Sequence, residues 1–340
     1  METGPLPGTR LTLEDDGVSG GEAMRGSYLS VSWCLLVGAA VVAVIILNAA
    51  KGPALAYAAT TVVVDDDGRA TASDCNAQQK TFSSVQAAVD AAQAGSTVLI
   101  CPGTYVEQVT IARNDLTLLG SGQGVTVLRP SAVPATVTGV LVPYLVAPIV
   151  VVNGVSGVTV SRLTVDGSVA ESGVSNMDCP QVGFYAGIHF RNASGTVDST
   201  QVMKVNSGTR CSSGIRSEGG AGGVSQLVVT GSLIEQSGDF GVVCIGPGAT
   251  CTITGSTVRG RGPVTDQIQA GIAMRAGATA TISGNIVRDH TYTLAQGVPT
   301  KSVGIFLVNA DPAVNPHLLQ ENTFINNDLN VQRVSSAGAL

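Results

Sequence analysis

The sequence predicts an all-β solenoid in which short parallel strands stack coil upon coil. Two repeated patterns lead to this prediction. A glycine followed by an apolar β-branched residue and an alternating strand recurs along the chain, starting at Gly187, Gly214, Gly241, Gly271 and Gly304. A second set of short strands falls between these, at 229–234, 253–258, 282–287 and 319–324. Because one repeat is too short to bury its own apolar side, the repeats must stack, and strands in successive coils then pair in parallel.

The composition supports one elongated domain with a narrow core. The chain has 340 residues and 42 glycines, but only 12% charged and 4% aromatic residues. This balance disfavours both disorder and a helical bundle. The formal net charge is −6, and the 18 basic residues are scattered singly. No basic stripe is available to hold a phosphate backbone, so nucleic acid is not expected as a partner.

The N-terminus predicts a segment that meets a membrane. Residues 31–50 are almost uninterruptedly apolar, and at about 1.5 Å per residue such a helix approaches the roughly 30 Å of a bilayer core. A transmembrane anchor and a signal peptide both fit, because the small residues around Ala58 allow cleavage after it, and translation could begin at Met1 or Met24. In either case we expect an extracytoplasmic repeat domain, secreted or anchored to the cell membrane.

These observations divide the chain into five parts. We expect 1–30 to be a disordered tail, 31–50 the transmembrane or signal segment, 51–60 a linker, 61–330 the solenoid and 331–340 a C-terminal tail. A repeat that continues almost to the C-terminus favours one domain over two.

Cysteine usage agrees with export. The apolar segment is followed by an even number of cysteines, which predicts disulfides in an oxidising compartment: Cys75, Cys101, Cys179, Cys211, Cys244 and Cys251. A solenoid brings sequence neighbours together, so the favoured pairs are Cys75 with Cys101, Cys179 with Cys211, and Cys244 with Cys251. No Cys/His spacing indicates zinc.

The first strand of the solenoid is predicted at 61–64. A turn follows that contains Asp65, Asp66 and Asp67. Three carboxylates could bind calcium, but they lack the alternate spacing and the distal glutamate of a calcium loop. A solvated turn is therefore the favoured interpretation, with a calcium site as the alternative and no other cofactor expected.

A short amphipathic α-helix is predicted next, because apolar residues from Phe82 to Ala92 recur at helical spacing. Ser83 is the expected N-cap, Gln86 completes a capping box, and Gly95 is expected to end the helix. Such a helix would cover the open core and the unpaired strand edge at the first coil.

Further short strands are predicted at 97–105, 109–111, 116–120 and 125–128. The order of helix and strands over 82–124, including Pro102-Gly103-Thr104-Tyr105, resembles the opening coils of the right-handed parallel β-helix superfamily. That superfamily includes pectin methylesterases, pectate lyases and alginate-epimerase-like proteins. The resemblance covers roughly 61–330 and implies a single-stranded, right-handed parallel β-helix, with a polysaccharide as the expected partner.

The catalytic signatures of these families are absent from the sequence. The stretch 239–242 is too short for a pectin methylesterase signature, and 259–263 does not fit that of a pectate lyase. The Asp-Pro-His of alginate epimerases is split between Asp311-Pro312 and Pro316-His317. The resemblance therefore predicts the fold more strongly than an activity.

Alternation within the glycine-led strands distinguishes the inside of the solenoid from the outside. The inward set is expected to be Ile188, Ile215, Val242, Ile272 and Ile305. A solvent-facing polar patch is predicted on the outside of two neighbouring strands, formed by His189, Arg191, Arg216 and Glu218. There an arginine could pair with a sugar carboxylate, and Glu218 or His189 could move a proton. The alternative is that these residues form surface ion pairs that contribute only solubility.

Other polar residues are interpreted as structural. Asn285 and Asn322 should stack in matching places, and His290 and His317 should lie on the surface. The predicted function is polysaccharide binding on the outer strand face, with a lyase or hydrolase activity in view. The alternative is a noncatalytic structural or adhesive solenoid that binds another protein through outward apolar residues such as Val243 and Phe306.

Overall fold

The computed structural model describes residues 60–66, 75, 82–141, 143–168, 184–206, 212–220, 222–293, 301–310, 314 and 316–335. The predicted tail and apolar segment lie outside these residues, as does almost all of the predicted linker. Within the described ranges no helix is long and apolar enough to cross a membrane.

Three parallel sheets run the length of the domain, and each coil of chain visits sheets A, B and C in turn. Sheet A contains β1 (Thr61–Val64), β2 (Thr97–Ile100), β5 (Thr117–Gly120), β9 (Val158–Ser161), β12 (Gly195–Asp198), β15 (Ser225–Thr230), β18 (Ala249–Thr254) and β21 (Thr279–Ser283). Sheet B contains β3 (Gly103–Tyr105), β6 (Thr126–Leu128), β10 (Thr164–Asp166), β13 (Gln201–Met203), β16 (Leu233–Glu235), β19 (Thr257–Val264), β22 (Ile286–Tyr292) and β24 (Thr323–Ile325).

Sheet C contains the glycine-led strands. Its members are β4 (Val109–Ile111), β8 (Leu145–Asn153), β11 (Phe184–Arg191), β14 (Ser212–Glu218), β17 (Phe240–Ile245), β20 (Ala270–Arg275), β23 (Val303–Val308) and β25 (Leu329–Val334), with β7 (Val137–Thr138) antiparallel to β8. The predicted parallel β-helix is therefore confirmed. The solenoid continues past the predicted boundary at 330.

The predicted register of the glycine-led strands is also confirmed. Ile188 pairs with Ile215, which pairs with Val242, and the row continues through Ile272 and Ile305. All five side chains are fully buried. The glycines are required because the coils approach closely. A Cβ on Gly214, for example, would lie 2.7 Å from the carbonyl oxygen of Gly241.

A polar ladder lines the corner between sheets A and B. The predicted stacking of Asn285 and Asn322 is confirmed, since Asn285 Nδ2 donates to Asn322 Oδ1 at 2.9 Å. The ladder continues through smaller residues: Ser256 N donates to Asn285 Oδ1 at 3.0 Å, and Ser232 N to Ser256 Oγ at 3.2 Å. These bonds satisfy backbone groups that would otherwise be buried without partners.

The capping helix α1 (Val85–Ala91) differs from its prediction at both ends. Its N-cap is Ser84, not Ser83. The predicted capping box is replaced by a tertiary contact, in which the Glu107 carboxylate accepts from Val85 N at 2.7 Å and from Gln86 N at 2.8 Å. The helix ends at Ala91, before Gly95. The inward face still packs against the first coil, as predicted.

The strand predicted at 319–324 is partly wrong. Leu318–Glu321 form a short helix, α2, and only Thr323–Ile325 are a strand. Leu318 is buried, and α2 contacts β21, the last strand of sheet A. The helix therefore takes the place where sheet A would otherwise continue.

Two of the predicted disulfides are present. Cys75 is bonded to Cys101 and Cys244 to Cys251, with Cα–Cα distances of 5.3 and 6.6 Å. The second bond lies inside the core, where both cysteines are fully buried. Cys179 and Cys211 lie outside the described residues.

The predicted aspartate turn is only partly solvated. Asp65 is buried, Asp66 is exposed, and Asp67 lies outside the described residues. In the described part of the chain no group of three or more His, Cys, Asp or Glu residues is arranged to hold a metal ion.

Candidate functional site

The predicted polar patch forms on the outer face of sheet C, but it is buried. His189 pairs with Arg216, and Arg191 with Glu218, so the four residues lie on neighbouring strands as predicted. However, His189, Arg216 and Glu218 are at most 1% exposed, and only Arg191 is partly accessible. The prediction of a solvent-facing patch is therefore wrong.

The reason is a long connection that folds over this face. Residues 130–144, here called the strap, join β6 to β8, and all but residue 142 are described. Val140 N donates to Glu218 Oε2 at 2.9 Å, and the Tyr144 hydroxyl donates to Glu218 Oε1. Arg191 Nε donates to Thr138 O at 2.7 Å. The strap thus contacts Arg191 and Glu218 directly, Tyr144 also contacts Arg216, and His189 lies beside Glu218.

Beneath the strap, Arg216 is held by charge and by aromatic rings. Its Nε donates to Glu218 Oε1 at 2.9 Å, and its Nη2 lies against Glu218 Oε1 and the Tyr144 hydroxyl. The guanidinium carbon lies 4.6 Å from the Phe184 ring centroid and 5.2 Å from that of Tyr144. This geometry allows cation–π attraction, which is strongest when the cation is desolvated.

Burial and charge fix the protonation states of this buried cluster. Burial lowers the pKa of His189, so its ring is neutral at pH 7. Burial would raise the pKa of Glu218, but His189, Arg216 and Tyr144 outweigh that effect and hold it well below its usual range. Burial also raises the pKa of Tyr144, so its hydroxyl stays protonated and donates to Glu218.

The buried cluster contains residue types that are found in acid–base sites, but a polymer cannot reach it. His189 Nε2 lies 3.7 Å from Glu218 Oε2, beyond hydrogen-bond distance. Neither ring nitrogen of His189, nor Arg216 Nη1, has a hydrogen-bond partner among the described residues. With the strap in place, these residues cannot contact a polysaccharide.

The long connections of the solenoid are concentrated at one corner, between sheets B and C. The connections 129–144, 167–183, 204–211 and 293–302 are long, whereas 106–108, 236–239 and 326–328 are short. Long loops on a rigid scaffold are where binding sites usually occur. This corner is therefore the side of the solenoid best suited to a ligand site.

An open, polar cavity of about 360 Å³ lies at this corner. We call it the corner pocket. It is lined by Ser168, Lys204, Asn206, Gln236 and Arg261. Lys204 and Gln236 each follow a sheet B strand and adopt the left-handed conformation, with φ of 55°. The same turn therefore presents one side chain to the pocket in two successive coils.

The two cations of the corner pocket, Lys204 and Arg261, are incompletely paired. Arg261 Nη2 bonds Asp266 Oδ2 at 2.8 Å, whereas its buried Nη1 has no hydrogen-bond partner among the described residues. No ion pair of Lys204 occurs within the described part of the chain. The five lining residues include two cations and no carboxylate.

Buried polar groups lie behind the pocket wall. A Cβ on Gly238 would clash with Ser212 Oγ and would lie 2.7 Å from Gln267 Nε2 and 3.1 Å from Asn206 Oδ1. Gln267 and Ser212 are at most 1% exposed, and Gln267 Nε2 and Ser212 Oγ find no hydrogen-bond partner among the described residues. Such groups cost free energy unless a ligand or water satisfies them.

Sequence reasoning missed the corner pocket. Arg261 lies within β19, and the other lining residues lie in turns and connections of unequal length, so no fixed spacing relates them. The available signal was positional, since Lys204 and Gln236 each come directly after a strand at the same register. His290 was also misjudged, because it is 2% exposed and its Nδ1 lies 3.0 Å from Asn327 Oδ1.

Comparison with known proteins gives structural similarity only. No protein family matches the sequence, and no curated protein is similar to it in sequence. A pectin methylesterase mutant in complex with a hexasaccharide matches with a TM-score of 0.42 and 14% identity, covering 80% of this chain and 93% of that one.

Two other solved structures are similar at the same level. The pectin methylesterase from Erwinia chrysanthemi gives a TM-score of 0.36, 15% identity and coverages of 80% and 93%. A family 28 exopolygalacturonase from Yersinia enterocolitica gives 0.39, 13%, and coverages of 82% and 65%. These values are too low to support an inference about the activity of this chain.

Proposed function

We propose that this chain is an exported β-helix protein that binds a polysaccharide with acidic sugar units in its corner pocket. One observation carries the proposal: the pocket presents two cations, Lys204 and Arg261, and no carboxylate among its lining residues. Buried donors without a partner among the described residues lie behind its wall and add support.

The pocket chemistry suits a carboxylated sugar. A guanidinium and an ammonium both bind carboxylates through charge-assisted hydrogen bonds, and the planar guanidinium adds orientation. The bond from Arg261 to Asp266 fixes the orientation of the guanidinium in the pocket lining. Asn206, Gln236 and Ser168 supply neutral groups suited to sugar hydroxyls.

Export is supported by the disulfides. Cys75–Cys101 and Cys244–Cys251 are stable in an oxidising compartment and rare in a reducing one. The predicted segment at 31–50 would direct the chain out of the cytoplasm, either as an anchor or as a cleaved signal. Both alternatives stay predictions.

The proposal is limited to binding. Glycoside hydrolysis commonly uses two carboxyl groups that flank the scissile bond, and none of the five lining residues carries one. The alternative of an adhesive solenoid requires an exposed apolar face. Val243 is fully buried and Phe306 is partly buried, so these two residues do not form such a face.

The test is retention on immobilised polymers. We expect binding to polygalacturonate and alginate but not to neutral dextran, measured with and without calcium. Lys204→Ala and Arg261→Ala should each weaken binding about tenfold to a hundredfold, because each removes a charge-assisted contact. The matched control is Arg113→Ala, which removes a cation beside the capping helix.

Retention of none of these polymers would overturn the proposal. So would an equal loss of binding in Arg113→Ala and Arg261→Ala, since that would indicate a nonspecific charge effect.

A further inference from the structure

The strap and the strands beneath it differ in how deeply they are buried. Between Pro134 and Tyr144, no described residue except Gly139 is buried, whereas the strands beneath are almost fully buried. The strap is tied down at its start by Val133, which packs into the core, and by the partly buried Ala135, which packs against it. A segment with few buried apolar contacts opens at a lower free energy than the core it covers.

The attachments of the strap are mainly polar and converge on one carboxylate. Val140 N–H and the Tyr144 hydroxyl both donate to Glu218. Further ties include the bond from Arg191 to Thr138 O, the bond from Gln108 Nε2 to Pro134 O at 3.1 Å and the two-residue pairing of β7 with β8. Tyr144 also accepts a hydrogen bond from Arg216, and its ring centroid lies 4.5 Å from that of Phe184. Water or another hydroxyl donor could replace each of the two donors to Glu218 without disturbing sheet C.

The face beneath the strap keeps unused hydrogen-bonding capacity. Both ring nitrogens of His189 and Arg216 Nη1 are buried without a hydrogen-bond partner among the described residues. A face built only to anchor the strap would be expected to satisfy these groups, because each unpaired polar atom destabilises the folded state.

We propose that the strap is a displaceable cover. It opens without unfolding of the solenoid, and its Val140 N–H and Tyr144 O–H occupy positions on Glu218 that the hydroxyl groups of a sugar chain take when it is open. His189 and Arg216 then supply the neighbouring polar groups, and the Phe184 ring beside Arg216 supplies an apolar surface for a sugar ring. The opening does not depend on the corner pocket, whereas the sugar ligand rests on the proposed function.

The three histidines of the chain provide an internal test with diethyl pyrocarbonate, read by peptide mass spectrometry on the folded, full-length protein. His317 is exposed, His290 is buried in the solenoid wall, and His189 is buried under the strap. We expect His317 to react fastest, His290 slowest, and His189 at least about tenfold faster than His290. The neutral ring of His189 is the reactive form.

Tyr144→Phe should raise the His189 rate by about another tenfold, because it removes the two bonds of this hydroxyl to Glu218 and Arg216. Tyr105→Phe is the matched control, since its hydroxyl bonds Val64 O and Cys101 O elsewhere in the core. It should leave the ratio of the His189 and His290 rates unchanged. A galacturonate hexasaccharide should slow modification of His189 in Tyr144→Phe.

A wild-type His189 that reacts no faster than His290 would overturn the displaceable cover, even if the Tyr144→Phe variant did not fold. Fast reaction of His189 without protection by the hexasaccharide would overturn the ligand half of the proposal. Retention on polymers in the preceding test is read separately, so failure of the corner pocket is distinguishable from failure of the strap.

Discussion

The covered face of sheet C and the corner pocket are both polar, yet their charges are arranged in opposite ways. On the covered face, a carboxylate, a guanidinium and a tyrosine hydroxyl contact one another at near-zero exposure of the two charged groups. In the corner pocket, two cations face an open cavity and only Arg261 has a carboxylate partner among the described residues.

With the strap closed, this difference separates a face whose charges stabilise the fold from a pocket that is open to a ligand. A buried pair is costly to break, because removing one partner leaves an uncompensated charge in a medium of low dielectric. An exposed cation contributes little to stability, because solvent screens it. The covered face should therefore respond to substitution through stability, and the corner pocket through binding.

The largest expected effect is on the covered face. Glu218→Gln should lower the free energy of unfolding by about 3–5 kcal/mol, because Arg216 is left buried without a countercharge. Denaturant unfolding followed by circular dichroism measures the change.

Glu235→Gln is the matched control for this substitution. Glu235 is partly exposed and lies 3.8 Å from the exposed Arg259, so the expected loss is under about 1 kcal/mol. Similar losses in the two variants would show that the covered face is not the more tightly coupled region.

The second-largest expected effect is the loss of stability in acid. Burial lowers the pKa of His290 to about 4, against about 6.5 in an unfolded chain. Between these values the unfolded state binds a proton that the native state does not, so stability is lost as pH falls from about 6.5 to 4. The loss amounts to about 3 kcal/mol at most. His189 acts in the same direction.

His290→Gln should flatten this part of the pH profile, while His317→Gln, at an exposed site, should leave it unchanged. Unfolding curves at several pH values between 7 and 4 provide the measurement. A wild-type stability that is constant over this window would contradict the assignment of a neutral, buried His290.

The contrast also explains which features the sequence could predict. The register of Ile188, Ile215 and Val242 follows from local signals, namely the repeated glycine and the alternation of each strand. The outward direction of His189 and Glu218 follows from the same alternation. Burial of that face does not, because Tyr144 and Glu218 are 74 residues apart and meet only through the path of the strap.

The corner pocket was unpredictable for a related reason. Lys204 and Gln236 share a turn position, but Arg261 lies within a longer strand and the connections between them differ in length. Convergence of their side chains depends on how the coils stack. The helix α2 was missed because a strand pattern over 319–324 fits locally, whereas the end of sheet A favours a cap.

The smallest expected effect concerns the corner pocket, where a substitution should leave stability unchanged or raise it. Gln267→Met replaces a buried amide whose nitrogen has no partner among the described residues with an apolar side chain of similar shape. Stability should be unchanged or should rise by up to about 1 kcal/mol, because an unsatisfied buried donor is removed. Binding to polygalacturonate should weaken at the same time, since the amide behind the pocket wall, beside Gly238 and Asn206, is then absent.

Gln269→Met is the control for this substitution. Its amide nitrogen donates to Gly262 O at 3.0 Å and to Thr291 O at 3.1 Å, so its replacement should destabilise the protein by about 1–3 kcal/mol. Unfolding and retention measured on both variants separate the two roles. If Gln267→Met loses as much stability as Gln269→Met, Gln267 stabilises the fold as Gln269 does. Its role as a donor kept for a ligand would then be contradicted, because such a donor should not be needed by the empty fold.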